Sequence, residues 1–159
     1  MSPYAAVVWL HVLAAAVWIG SMVFFALIVV PVVRRAADPA AAPRLLRAMG
    51  NRFRTLGWVA LGVLVTTGVA NLHFRGITLD YLRSREFWST LFGRALAYKL
   101  VFVAAAIALT AVHEILTPKD PAAPVSARRR RLTSWSGRLI LVVSLGVLYF
   151  AVALVRGLV

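Results

Sequence analysis

Residues 5–33 read AAVVWLHVLAAAVWIGSMVFFALIVVPVV, an apolar run without a charged side chain. A helix needs about 20 apolar residues to cross a bilayer core of roughly 30 Å, so this run predicts a membrane-spanning helix. No positively charged segment precedes it, it is longer than the apolar part of a secretory signal, and no small-residue cleavage motif ends a short apolar core. We therefore expect this first helix to be retained.

Three more apolar stretches extend the same prediction along the chain. We expect helices over about residues 4–33, 53–74, 93–116 and 134–157. Of the 159 residues, 62% are hydrophobic and only 14% are charged, which is too apolar for a soluble domain of this length. The predicted fold is all-α: residues 1–159 form one integral membrane domain, an antiparallel four-helix bundle.

The formal net charge of +13 is distributed unevenly along the chain. Many arginines lie in the connections after the first and third predicted helices, including Arg34, Arg35 and residues 128–131. The positive-inside rule then predicts that these connections are cytoplasmic and that both termini are outside. Because topology accounts for the basic clusters, nucleic acid is not an expected partner. The expected surroundings are a bacterial-type inner (plasma) membrane with anionic lipid at its cytoplasmic face.

The three connections have different compositions. Residues 38–54 mix apolar side chains with arginines, which is typical of an amphipathic segment in the headgroup layer or of a solvated connector. Residues 117–131 hold three prolines and four consecutive arginines, and they predict irregular structure against anionic lipid. Residues 77–94 interleave aromatic and charged side chains, which indicates an interfacial helix or a lid.

Composition also excludes several kinds of chemistry. The chain has no cysteine, so disulfides, thiolate metal sites and iron–sulfur clusters are excluded. The five acidic residues lie outside the hydrocarbon layer or at its edge, where Glu114 and the adjacent His113 are expected to form an interfacial pair. There is no nucleotide-binding loop and no pair of catalytic carboxylates. The remaining classes are redox chemistry and ligand handling.

Ionisable side chains at membrane depth are costly, so each is a candidate functional residue. His11 lies about 9 Å into the first helix, at ~1.5 Å per residue. His73 ends the second predicted helix and Lys99 lies near the start of the third, so all three are expected in the outer half of the bundle. Trp18 is seven residues from His11, nearly two turns, and shares its helix face.

Heme is the first cofactor that suits these residues. A neutral imidazole such as that of His11 is an axial ligand for heme iron, and a four-helix bundle can enclose the macrocycle. The two propionates need cationic partners, and the outer rim offers Arg75 and Arg94. The second axial position is left open between His73, Lys99, water and no ligand.

Copper is the alternative. Cu(I) favours soft sulfur ligands, whereas Cu(II) takes imidazoles in tetragonal sites. With three methionines and no cysteine, a copper site would use His11 and His73 with Met22, and Met1 as an outer ligand.

The first helix also carries a family resemblance. His11, Trp18 after six intervening residues, and Gly20, followed by an apolar run to Pro31, resemble the first helix of the copper-resistance protein D (CopD) superfamily. The stretches RFRTLGWVALGVLVTTGVANLHFRG and FGRALAYKLVFVAAAIALTAVHEIL, together with the arginine-rich connector before the fourth helix, resemble the rest of it. The residues that carry the resemblance are His11, Trp18, Gly20, Arg94 and Lys99.

The resemblance implies two functions. One branch of the superfamily is associated with copper uptake or resistance. The compact four-helix type, which the chain length favours, is related to the HemJ-type protoporphyrinogen oxidase, which binds heme b and oxidises a porphyrinogen. In that enzyme a histidine of the first helix and a lysine of the third are functionally important, which would carry over to His11 and Lys99.

We therefore expect a membrane protein that binds heme b in its outer half, for electron transfer or for oxidation of a membrane-soluble substrate. His11 is the expected axial ligand, Trp18 packs on the ring, and Arg75 and Arg94 hold the propionates. Lys99 lines the pocket, and it is the candidate catalytic residue if the protein is an enzyme, in which case it is a heme-dependent oxidoreductase. The expected partner is a membrane or periplasmic redox protein, and a homodimer is left open.

Two other functions remain open at this point. The first is a non-enzymatic copper-handling membrane protein. The second is a structural or assembly subunit of a larger respiratory complex, in which the polar residues only bond between helices.

Overall fold

A computed structural model of the chain describes residues 2–36, 38, 41–120 and 123–156. These residues form helices and connecting turns, with no strand among them. Four helical stretches are long and apolar enough to cross a membrane: Pro3–Arg35, Ala42–Phe74, Leu91–Leu116 and Ala127–Arg156. The prediction of an all-α protein with four spanning helices is confirmed.

The first span is interrupted by one widened turn. Helix α1 (Pro3–Phe24) begins after Ser2, whose hydroxyl accepts a hydrogen bond from the Ala5 amide. A π-helical turn follows at Phe25–Val29, and α2 (Val30–Ala36) completes the span. Pro31 explains this turn. Proline has no amide hydrogen to donate to the carbonyl four residues before it, and its ring crowds that carbonyl, so the helix widens locally.

The second span, α3 (Ala42–Phe74), begins earlier than expected. The segment expected to be a separate amphipathic piece or a connector continues directly into the spanning helix. Its apolar face packs on α2, because Val29, Val33 and Ala42 form a buried cluster with Leu46 and Met49 packed against it. Tertiary contact with α2 therefore extends the helix.

The connection after α6 (Leu91–Leu116) is also shorter than expected. Helix α7 (Ala127–Arg156) begins within the basic run, so the prediction of irregular structure is wrong for residues 127–131. One reason is that Arg129 donates to the carbonyls of Leu116 (2.8 Å) and Ile115 (2.9 Å) at the end of α6. These carbonyls lack partners within their own helix.

The spanning helices pack mainly as two pairs, α1 with α3 and α6 with α7, and α1 also contacts α7. A buried core at mid-bundle joins all four spans through Trp18, Ala60, Leu61, Ala106 and Ile140. Small residues permit the closest approach, since a Cβ added at Gly146 would overlap the ring of Phe102. We call the end with the arginine-rich connections the basic end, and the end with the N-terminus the outer end.

At the outer end, two short helices cross between α3 and α6. They are α4 (Leu79–Arg83) and α5 (Arg85–Ser89), so the expected interfacial helix is divided in two at Ser84. Phe87 is only 2% exposed and packs edge-on against Tyr81 and Trp88. The connection is thus a folded cap, packed on the start of α6.

Candidate functional site

The imidazole of His11 is held by the second span. Its Nδ1 lies 2.7 Å from the hydroxyl oxygen of Thr67, which is buried on α3. That hydroxyl lies 2.5 Å from the Val63 carbonyl and donates its single hydrogen there. We therefore assign Nδ1 of His11 as the donor in the first bond, which leaves the lone pair of the neutral ring on Nε2.

The same ring lies close to α3 at a glycine. A Cβ added at Gly68 would lie 3.6 Å from Cε1 of His11, which is ordinary contact distance. Ala14, one turn further along α1, is buried at the same helix pair. A small residue at each of these positions lets the two helices approach closely enough for the bond from His11 to Thr67.

Two cationic side chains complete this region. Lys99, half-buried on α6, interacts electrostatically with both His11 and Arg75. The guanidinium carbon of Arg75 lies 5.6 Å from the ring centre of Phe92, in a cation–π contact. Within the described ranges no acidic side chain forms an ion pair with Lys99 or Arg75. The region therefore carries net positive charge.

Asn71 adds a polar group that sequence reasoning missed. It lies four residues after Thr67, on the same face of α3 and one turn nearer the outer end. Its side-chain oxygen is buried and has no hydrogen-bond partner among the residues that the structure describes. Such an orphaned group is uncommon in a folded protein. We call His11, Thr67, Asn71, Arg75 and Lys99 the outer polar cluster.

The other three expected site residues are either exposed or part of the mid-bundle core. Trp18 is 5% exposed and belongs to the mid-bundle core, where its indole packs against Gly57. His73 is exposed on α3, with its ring centre 6.1 Å from that of Phe74. Arg94 is exposed in the first turn of α6. Electrostatic interactions join Lys99 to His11 and to Arg75, whereas Trp18 lies about 10 Å further along α1 than His11, at ~1.5 Å per residue.

The residues expected for copper are not gathered at one point. Met22 is eleven residues beyond His11 on the same helix, about 16 Å along its axis at ~1.5 Å per residue, and it packs on the mid-bundle core. Met1 lies outside the described residues. The part of the chain that the structure describes holds no group of three or more histidine or acidic side chains that could bind a metal ion.

At the basic end, the expected pair of His113 and Glu114 is wrong. His113 Nδ1 lies 2.8 Å from the Ser136 hydroxyl on α7. The Glu114 carboxylate instead accepts a 2.6 Å hydrogen bond from the Trp58 indole and lies 4.0 Å from Arg54 Nε. The physical reason is helix geometry, because adjacent residues on a helix do not face each other.

The fold and the cluster define a class, a multi-span helical membrane protein with a polar cluster between its spans. Residues 47–155 match the family model described as copper resistance protein D. This match covers more than half of the chain, which therefore belongs to the CopD family. It includes Arg75 and Lys99 but begins after the helix that carries His11. Comparisons with curated proteins and with solved structures give no significant match.

Proposed function

We propose that this CopD-family protein binds heme b in the outer half of the bundle, with Nε2 of His11 as an axial ligand. One observation carries the proposal: the bond from His11 Nδ1 to Thr67 leaves the Nε2 lone pair free. Ligating histidines almost always donate their other ring nitrogen to such a partner, which fixes the tautomer and the orientation of the ring.

The charges of the outer polar cluster support heme rather than a bare metal ion. Lys99 and Arg75 interact with each other and have no acidic partner in the described part of the chain, so they disfavour a free copper ion nearby. Heme brings two propionates, and cationic groups pair well with carboxylates.

The activity that we propose is electron transfer or oxidation of a membrane-soluble substrate. Bound heme would supply the one-electron chemistry. His11 would hold and orient the group, while Lys99 and Arg75 would bind propionates and raise the positive potential around it. Arg94 is exposed at the start of α6, and we propose that it contributes to the propionates from the rim.

The test is the heme content of the purified protein, measured by an oxidised-minus-reduced visible spectrum and a pyridine hemochrome assay. We expect a stoichiometric b-type signal in the wild type and its loss in His11→Ala. The matched control is His73→Ala, which removes an exposed imidazole on the same side of the bundle and should keep the signal. A normal heme spectrum in His11→Ala would refute the assignment of the ligand.

The family description favours a second candidate, a copper-handling membrane protein without enzymatic activity. In that case His11 and His73 would act as transient copper ligands. Copper bound in stoichiometric amount by the purified protein, without heme, and lost in His11→Ala would replace the heme proposal with this one.

A further inference from the structure

A surface cleft opens at the basic end, well away from the outer polar cluster. Its volume is 480 Å³, and it lies between α3, the end of α6 and the start of α7. The polar side chains that line it are Trp58, Glu114, Thr117, Lys119 and Arg129. The proposed heme site uses none of them.

The one acidic group of this lining already has two partners. The two oxygens of Glu114 face different partners, the Trp58 indole at 2.6 Å and Arg54 at 4.0 Å. Lys119 and Arg129 therefore give the cleft a net positive charge. An anionic ligand matches this balance better than a cation or a neutral group.

Arg129 is also held in place for such a ligand. Its Nε and one Nη donate to carbonyls at the end of α6, at 2.8 and 2.9 Å. The other Nη has no acceptor among the residues that the structure describes. A guanidinium fixed in this way presents its free edge to an incoming oxyanion at little entropic cost.

The position of the cleft identifies the anion. The cleft lies where the spanning helices meet the arginine-rich connections, which is the level of the cytoplasmic headgroups by the positive-inside rule. Phosphodiester groups are abundant at this level. We propose that the cleft is a specific site for the headgroup of an anionic glycerophospholipid, whose phosphate lies between Lys119 and Arg129.

The experiment is a lipid titration of the delipidated full-length protein in detergent, with phosphatidylglycerol binding measured by native mass spectrometry. We expect a saturable adduct with one lipid. Lys119→Gln should bind the lipid about fivefold more weakly, because one basic side chain near a membrane surface contributes about this much to the attraction of anionic lipid. Lys119→Arg should restore the affinity because it keeps the charge. The matched control is Arg130→Gln, an exposed basic residue outside the cleft lining, which should bind like the wild type.

Three outcomes would overturn the proposal. Equal losses in Lys119→Gln and Arg130→Gln would indicate general attraction to anionic lipid instead of a site. Equal affinity for phosphatidylcholine would show that the anionic charge of the lipid is not recognised. Displacement of the lipid by millimolar inorganic phosphate would show that the cleft takes free phosphate. We expect Lys119→Gln to leave the heme content unchanged, because Lys119 lies at the basic end, so a failure of the lipid test is distinguishable from a failure of the proposed function.

Discussion

Replacement of Thr67 by valine tests how the outer polar cluster holds its imidazole. Valine keeps the shape of threonine but removes the hydroxyl oxygen that lies 2.7 Å from His11 Nδ1. The ring then loses both the acceptor that fixes its tautomer and the contact that fixes its orientation. Loss of such a partner typically weakens metal affinity 10- to 100-fold, which is about 1.4–2.7 kcal/mol at 25 °C. We expect this loss for heme.

The assay is a heme titration of the apoprotein, followed by absorbance, with two companion variants. Thr66→Val is the matched control, because the exposed Thr66 hydroxyl bonds only to the carbonyls of Gly62 and Val63 within the described ranges. Thr67→Ser keeps a hydroxyl and should retain most of the affinity. Wild-type heme affinity in Thr67→Val, or an equal loss in Thr66→Val, would refute the reasoning.

Three other substitutions test packing and charge. Gly146→Ala should lower the free energy of unfolding by about 1–3 kcal/mol, because the new methyl overlaps the Phe102 ring. Thermal unfolding in detergent measures this loss. The control is Gly62→Ala, because a Cβ at Gly62 meets nothing within 4 Å. Glu114→Gln should lower the free energy of unfolding by about 1–3 kcal/mol in the same assay, because Arg54 then keeps a poorly compensated charge. An unchanged unfolding midpoint would contradict the ion pair. Lys99→Met should lower the heme midpoint potential, because loss of a positive charge favours the ferric state; a raised potential in redox titration would contradict the placement of Lys99.

The spanning helices could be predicted from the sequence because their signal is local. Each apolar run is long enough to cross a bilayer, and charged residues mark its ends. The start of α3 at Ala42 could not be predicted in this way, since it depends on packing against Val29 of the π-helical turn and Val33 of α2. The π-helical turn had a usable signal in Pro31, a proline inside an otherwise continuous helical run.

The outer polar cluster was predictable only in part. His11 and Lys99 were recognised because ionisable groups are rare at membrane depth. Thr67 and Asn71 were missed, because uncharged polar residues are common in spanning helices and only the partner helix shows which of them face inward. Their spacing of four residues within an apolar span was the available signal. Trp18 shares a helix face with His11, but its place in the mid-bundle core could not be predicted, because residues of all four spans form that core.

The most direct test of the central claim is an imidazole rescue of His11→Gly, followed by the oxidised-minus-reduced visible spectrum. We expect a b-type spectrum in the wild type, its loss in His11→Gly, and its return when imidazole occupies the space left by the side chain. A heme spectrum that survives in His11→Gly without imidazole would contradict the claim, and so would a wild-type protein that stays colourless when heme is supplied in excess.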